Sequence, residues 1–537
     1  MLRFRGRLVL SGAACALLVV VGLAAWGLAA NSSDAQAGSM HNCPPADRWS
    51  IAVWQGASGT AAGDALTACG AGSVAAAYSL DSQTGAWSRW FAGKPDVSNL
   101  PPLNSLQGIM VLGGASAAPT QSPSPSPPPQ ADMIFHNGTV LTMDTEHPQA
   151  QAVAVRGDRI VAVGSDDEVL NMSGPGTALV DLEGRTLLPG FIDSHAHWIG
   201  DRESAGHSTP EEAIQAALEN GWTSISELFV NQDRLDELLS LDQQAHLRLR
   251  VNAYLPLNWG EEEFGDWYQA YGPGQEFSSR LRIGGVKIFL DTNWGQTLFF
   301  SQAELNELVA EAHEAGFQIA VHSVGEASQD LLLNAYENGL QGESNETHRH
   351  RIEHVVVLRD DQLDRMQRLG IIASFQFFVP ADCPEVMEDV FGPELLPRVA
   401  RWRDLLEAGV PSMGGTDSPW GCEAADPSKT NSPMEEIHKA VTRIGKSGVP
   451  PAEWQLNQRI TVEQALRLIT TDAAYGTFQE NVKGSIAVGK LADLVILSAN
   501  PLSTPVEQLT DIEVVMTMVG GQVEHCGQGY QSLCPVT

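Results

Sequence analysis

The chain is short of positive charge: 32 Lys and Arg stand against 65 Asp and Glu in 537 residues, a formal net charge of −33. That surplus repels phosphate backbones and anionic headgroups, which excludes nucleic acid as a partner and any membrane attachment through a basic face. There is no CxxC pair, so a zinc–thiolate site is not expected. GxGxxG, P-loop, GxSxG and haem motifs are missing as well, and nucleotide and serine-hydrolase readings lose their support. No solenoid-length repeat is present. What remains is a hydrophobic fraction of 43% with only 18% charged residues, enough to bury a large core and too mixed for a disordered chain. At roughly 150 residues per domain, the length predicts two to four domains.

Residues 1–37 read as an export segment. Arg3, Arg5 and Arg7 precede an uncharged run from Leu8 to Ala30, and Ala35-Gln36-Ala37 follows as a small-residue cleavage pattern. The run approaches the roughly 20 residues that span a bilayer, so a cleaved signal peptide and an uncleaved anchor both stay open; an anchor of this kind is the membrane contact the sequence offers. The protein is expected outside the cytoplasm. Cys15 lies inside the apolar run and is read as part of it, which leaves six of the seven cysteines for an oxidising compartment. Proximity pairs Cys43 with Cys69 and Cys526 with Cys534, leaving Cys383 and Cys422.

A Pro/Ser-rich linker, 114–130, separates a module at 38–113 from the rest of the chain. Trp49, Trp54, Trp87 and Trp90 and short alternating runs predict a small β-rich fold for this module. Its tryptophans read first as core; a platform for a cell-surface component is the other reading. After the linker, short strand-like runs (131–188) give way to apolar strands alternating with amphipathic helices (189–479), such as Gln302 to Ala315. Short strands return at 480–525, before a tail at 526–537. Eight strand candidates fit an α/β fold, a (β/α)8 TIM barrel, with a flanking composite β-sandwich begun before the barrel and completed after it.

The strongest chemical signal is His195-Ala196-His197 after the apolar strand Gly190-Phe191-Ile192-Asp193. Histidines at i and i+2 of an extended strand share a face, so both imidazoles can reach one ion. Lys287, His322, His354 and Asp417 also stand at the ends of strand candidates, on the face where barrel enzymes place their sites. Singly, such a histidine reads as a satisfied core residue. Together, four histidines and an aspartate supply the nitrogen and oxygen donors that zinc prefers.

These segments resemble the amidohydrolase superfamily, in its N-substituted formamide deformylase-like branch. The resemblance is carried by Leu188-Pro189-Gly190-Phe191-Ile192-Asp193-Ser194-His195-Ala196-His197, Val286-Lys287-Ile288-Phe289, Arg351-Ile352-Glu353-His354 and Gly415-Thr416-Asp417-Ser418-Pro419. Thr461 to Leu466 and Gly484 to Val495 extend it. It implies a metal-dependent hydrolase of an amide or related non-peptide C–N bond, with a small-molecule substrate. His195 and His197 would hold a first divalent metal, expected to be zinc, and His322 and His354 a second. Asp417 would be a ligand of the first metal and the catalytic proton shuttle, and a carbamylated Lys287 would join the two ions. With one ion, His195, His197, His322 and Asp417 surround it and His354 acts on the substrate. Gln376 matches a glutamine that would line the substrate pocket.

The chain departs from that pattern twice. Only residues 198–221 separate the HxH strand from the next, so the pocket roof is shortened or built differently. Cys383 and Cys422 follow the seventh and eighth strands and are expected to form a disulfide pinning two loops of the catalytic face. Glu227 reads as an acidic rim residue without a special role, His207 as a loop residue, and His246, His313 and His438 as surface. An ester, lactone or phosphoester hydrolase and a non-catalytic cell-surface binding protein are the competing readings.

Overall fold

The structure is a computed structural model that describes residues 130–292, 294–343, 345–422 and 432–535 and, in the N-terminal part, 40–41, 43, 49–55, 57–58, 60–69, 74–80, 87–92, 94, 98–103 and 108–113. The export segment and most of the linker lie outside the described residues. Among the described residues no helix is long and apolar enough to cross a membrane. The chain divides into two compact units at Pro125/Ser126.

In the N-terminal unit, Met40–His41, Trp49–Trp54, Gly108–Gly113, Val74–Leu80 and Trp87–Phe91 lie side by side in that order as one five-stranded antiparallel sheet. Trp54, Leu66, Ala77 and Val111 fill its core, Trp90 packs against that core, and Cys43–Cys69 closes a disulfide. Trp54 is therefore a core residue; the side chains of Trp49 and Trp87 lie outside the described residues.

The second unit begins and ends in β-structure. A four-stranded sheet (Arg159–Gly164, Ala152–Arg156, Met133–His136, Ala178–Asp181) faces a six-stranded one (Gln522–Cys526, Val514–Val519, Leu494–Leu497, Thr186–Pro189, Thr139–Leu141, Gln149–Ala150). Phe135, Val140 and Val153 from the early segment share one core with Leu494, Ile496 and Met516 from the late one. The composite sandwich read from the sequence is thus built from both sides of the barrel segment, and Cys526–Cys534 staples its last strand.

Eight parallel strands lie between these halves: β1 (Phe191–Ala196), β2 (Trp222–Glu227), β3 (Arg250–Pro256), β4 (Leu281–Phe289), β5 (Ile319–Ser323), β6 (Arg351–His354), β7 (Ile372–Gln376) and β8 (Ser412–Gly415), each paired with the next. Ser194 Oγ donates to the Gly414 carbonyl at 2.6 Å, bringing β8 back to β1. The helices between them follow their sequence signals. Gln302–Glu314 starts at Ser301, whose hydroxyl and Glu304 form a reciprocal cap worth about 1 kcal/mol, and it buries Leu305, Val309 and Ala312 on one face. Buried Arg250 of β3 clasps Asp493 of the returning sandwich through two hydrogen bonds of 2.7 and 2.8 Å. Asp493 belongs to the late motif read from the sequence, and this clasp ties that motif to the barrel wall.

Candidate functional site

The polar residues at the strand ends converge because β1 and β8 approach closely. Past the strand ends, Asp417 N–H donates to the His195 carbonyl and His197 N–H to the Ser418 carbonyl, both at 2.7 Å. A Cβ at Gly415 would stand 2.6 Å from the His195 backbone nitrogen, so the approach requires glycine there. Asp417 (φ 55°) and His354 (φ 75°) sit in the left-handed region that non-glycine residues avoid; the surrounding hydrogen bonds hold both in place.

His195, His197 and Asp417 offer ligand atoms that all lie within 4.8 Å of one another. Asp417 Oδ1 is 3.4 Å from His195 Nε2 and 3.5 Å from His197 Nε2. Burial alone would raise the Asp417 pKa, but the electrostatic pull of the neighbouring imidazoles holds it well below the usual carboxylate range. Behind His195, Nδ1–H donates to Glu353 Oε2 at 2.6 Å, and Arg351 grips the same carboxylate at 2.6 and 2.9 Å. Fixing the proton on Nδ1 leaves the Nε2 lone pair pointing at Asp417, the arrangement that orients metal-binding imidazoles.

Beside this group, the His354 ring lies 4.8 Å from that of His195 and 4.4 Å from that of His322. Gln376 is buried and accepts from His354 Nδ1 at 2.7 Å, which leaves His354 Nε2 without a claim on it. Gln376 therefore stands behind His354 and does not line the cavity among the described residues. Asp291, just past β4, stands 3.4 Å from His322 Nε2 and is held by the backbone N–H of Val324 and Gly325 and by Ser328 Oγ. Burial lifts its pKa to about 6. The Lys287 ammonium is wholly buried and has no hydrogen-bond partner among the described residues; burial brings its pKa down to about 8.

These groups form the floor of a cavity of about 830 Å³. Its walls are aromatic, and the hairpin Asn258–Trp259/Glu262–Glu263 supplies part of the roof. The segment after β1 carries a turn at Arg202–Ala205 and the helix Pro210–Glu219, and its Asp201 lines the cavity. Cys383–Cys422 is a disulfide joining the loops after β7 and β8, and Cys422 lines the cavity.

Several readings of single residues change. Glu227 is no rim residue: it is 1% exposed, accepts from the backbone N–H of Ile199 and Gly200, and burial lifts its pKa to about 7. His313 is no surface residue: its side chain is 13% exposed and lies 3.0 Å from His350. His438 is half-buried, His246 is exposed, and His207 does not line the cavity. Asp291, Glu353 and the aromatic walls were missed. Asp291 carries the same signal as the residues that were found, a polar side chain closing an apolar strand (Lys287-Ile288-Phe289-Leu290-Asp291). Arg351 and Glu353, at i and i+2, are charges on one face of a strand that is otherwise interior.

Residues 210–525, more than half of the chain, match the amidohydrolase family. An N-substituted formamide deformylase of Arthrobacter pascens is 23% identical, over 73% of this chain and 98% of its own. The protein LONG AFTER FAR-RED 3 of Arabidopsis thaliana is 24% identical, over 73% of this chain and 91% of its own. The crystal structure of an uncharacterized metal-dependent hydrolase from Pyrococcus horikoshii OT3 superposes with a TM-score of 0.59 at 20% identity, covering 70% of this chain and 99% of its own, a likeness of fold.

Proposed function

The chain belongs to the amidohydrolase family, and on that premise we propose that it is a metal-dependent hydrolase cleaving a non-peptide carbon–nitrogen bond of a small molecule outside the cytoplasm. The observation that carries this reading is the convergence of His195, His197 and Asp417 at the floor of a large cavity. Their nitrogen and oxygen donors are those zinc accepts in catalytic sites. His195, His197 and Asp417 would hold a first ion, and His322 and His354 a second. Lys287 would serve between them as a carbamate. Its buried, unpartnered nitrogen fits that role: a bare ammonium is a poor ligand, whereas adding carbon dioxide to the neutral amine gives an anionic oxygen donor. The relative named as a formamide deformylase, matched over 98% of its length, supports the bond type. The three disulfides support an oxidising compartment.

When bound, zinc lowers the pKa of a water to about 7 and polarises a carbonyl. The chain's own residues supply the proton path. Asp417, anionic and facing both histidines of its group, takes the proton of the attacking water and returns it to the departing amine. With a single ion in the site, His354 would not ligate it and, oriented by Gln376, would face the substrate and stabilise the developing oxyanion. The aromatic walls lower the polarity around the reacting groups, which strengthens both interactions.

Metal analysis of the purified full chain tests the reading, followed by a screen of N-acyl, N-formyl, cyclic-imide and lactone substrates with and without chelator. Stoichiometric metal and chelator-sensitive amide hydrolysis are expected. Protein without stoichiometric metal refutes the reading.

A further inference from the structure

Asp291 is a buried carboxylate with no part in the chemistry proposed above, and its two oxygens face different partners. Oδ2 accepts from the backbone N–H of Val324 and of Gly325, each at 3.0 Å, and from Ser328 Oγ at 2.5 Å. Oδ1 lies 3.4 Å from His322 Nε2 and 3.2 Å from the Val324 nitrogen. The helix Glu326–Leu340 starts at Gly325, which has no side chain to cap it, so Oδ2 supplies an acceptor where the helix begins. The loop after β4 closes over this contact. A Cβ on Gly295 (φ 74°) would stand 2.6 Å from the Gly325 nitrogen and 3.2 Å from Asp291 Oδ2, so the carboxylate is held on every side the helix leaves open.

The same geometry decides where His322 carries its proton. Among the described residues, Nε2 faces two acceptors, Asp291 Oδ1 at 3.4 Å and the Thr292 carbonyl at 3.5 Å. A neutral imidazole has one N–H, and a bare lone pair aimed at a carboxylate and a carbonyl would be repelled by both. Nε2 therefore holds the hydrogen and Nδ1 the lone pair. Phe289 stacks on the ring at 5.9 Å and the His354 ring meets it edge-on at 4.4 Å, so the ring has little room to turn.

We propose that Asp291 is a positioning residue: it fixes His322 as the Nε2–H tautomer and so presents Nδ1 to a metal, as outer carboxylates do for ligating imidazoles. The role of His322 as a ligand rests on the hydrolase reading above; its tautomer stands on the geometry of the metal-free chain. Asp291→Asn separates positioning from capping. The oxygen that faces Val324, Gly325 and Ser328 must stay an acceptor, so the amide oxygen takes the Oδ2 place and the NH2 group takes the Oδ1 place, aimed at His322 Nε2. The helix keeps its acceptor, while His322 exchanges an anionic acceptor for a donor. The Thr292 carbonyl, neutral and beyond the usual N–H···O range, is a weak counterweight. The ring is driven toward the Nδ1–H form, which has no lone pair at Nδ1 for a metal.

The test records proton–nitrogen correlation NMR of the metal-free full chain carrying isotope-labelled histidine, with His322→Ala identifying the resonance. The wild type is expected to show the Nε2–H form and Asp291→Asn to move toward Nδ1–H. Competition with a chromophoric chelator then measures zinc on the same proteins. Asp291→Asn should weaken one ion about 10–100-fold with an unchanged Tm, and Asp291→Asn should add nothing in the His322→Ala background. A wild-type Nδ1–H tautomer, an unchanged tautomer or zinc affinity in Asp291→Asn, or an additive loss in the double variant overturns the proposal. A wild type that shows the Nε2–H form and takes up no zinc upholds the positioning of His322 and overturns the hydrolase reading alone.

Discussion

Two histidine clusters stand at opposite ends of the same barrel. His195, His197, His322 and His354 gather at the C-terminal strand ends, whereas His348 and His350 precede β6 and meet His313 of the helix Gln302–Glu314 beside the start of β5. Both sets bring rings within 4.4–5.1 Å of each other. Their lone pairs are used differently. In the lower cluster, His350 Nδ1 accepts from Ile319 N–H at 3.1 Å and His348 Nδ1 accepts from His350 N–H at 3.0 Å. His350 Nε2–H is then left to donate to His313 Nδ1 at 3.0 Å, so backbone amides and a neighbouring ring occupy the acceptors. At the upper end, Glu353 accepts a hydrogen bond from His195 Nδ1–H, and Nε2 is turned toward Asp417. Crowded histidines offer ligand atoms to a metal where carboxylates orient their rings, and serve as packing where backbone amides consume their lone pairs.

The largest effect expected from breaking this contrast comes from Asp417→Asn, which keeps the shape and removes the proton acceptor. Hydrolysis should fall by about 10²–10⁴-fold, the range of a lost general acid–base group. His350→Gln should leave turnover within about twofold, because it lies outside the reacting set; steady-state kinetics on one substrate checks both. Near-normal rates in Asp417→Asn would remove Asp417 from the mechanism.

Next in size is Glu353→Gln, which loosens the orientation of His195 without touching a ligand atom. Zinc affinity should weaken about 10–100-fold, measured by competition with a chromophoric chelator. Unchanged affinity would make the buried Arg351–Glu353 pair a purely structural device.

The smallest expected effect belongs to the lower cluster and concerns stability. Burial lowers the pKa of His348 to about 4 and that of His350 well below its ordinary value. A histidine whose folded pKa is depressed binds a proton more readily when unfolded. Its contribution is therefore fully present above the unfolded value near 6.5 and is lost as pH falls toward the folded one. Thermal stability should fall between about pH 6.5 and pH 4, and His350→Gln should flatten that fall. Parallel melting curves of the two proteins across the window would contradict the assignment.

Much of the fold was legible because barrel strands and amphipathic helices impose different periods on the apolar residues, and because a split sandwich leaves short strands on both sides of the barrel. The upper histidines were legible for a related reason: a polar residue ending an apolar strand has few places to go except the barrel mouth. Asp291 followed the same rule and was overlooked because Leu290 extends the apolar run past Phe289. Gln376 was read as pocket lining, but strand alternation fixes only its face, and His354, turned by its left-handed backbone, stands in front of it. His313 lies on a helix whose spacing predicts its inward neighbours; its own contact with His350 is tertiary and leaves no trace in local sequence. The aromatic wall draws Phe229, Trp259 and Phe289 from three separate segments, and no spacing rule joins them.

On the proposed reading, the upper cluster binds metal and the lower one does not. Metal content per chain, measured on the wild type, on His195→Ala/His197→Ala and on His313→Ala/His348→Ala, tests it most directly. Stoichiometric metal is expected in the wild type, with a loss in the upper double variant and an unchanged value in the lower one. Metal that survives His195→Ala/His197→Ala, or that leaves with His313→Ala/His348→Ala, would contradict it.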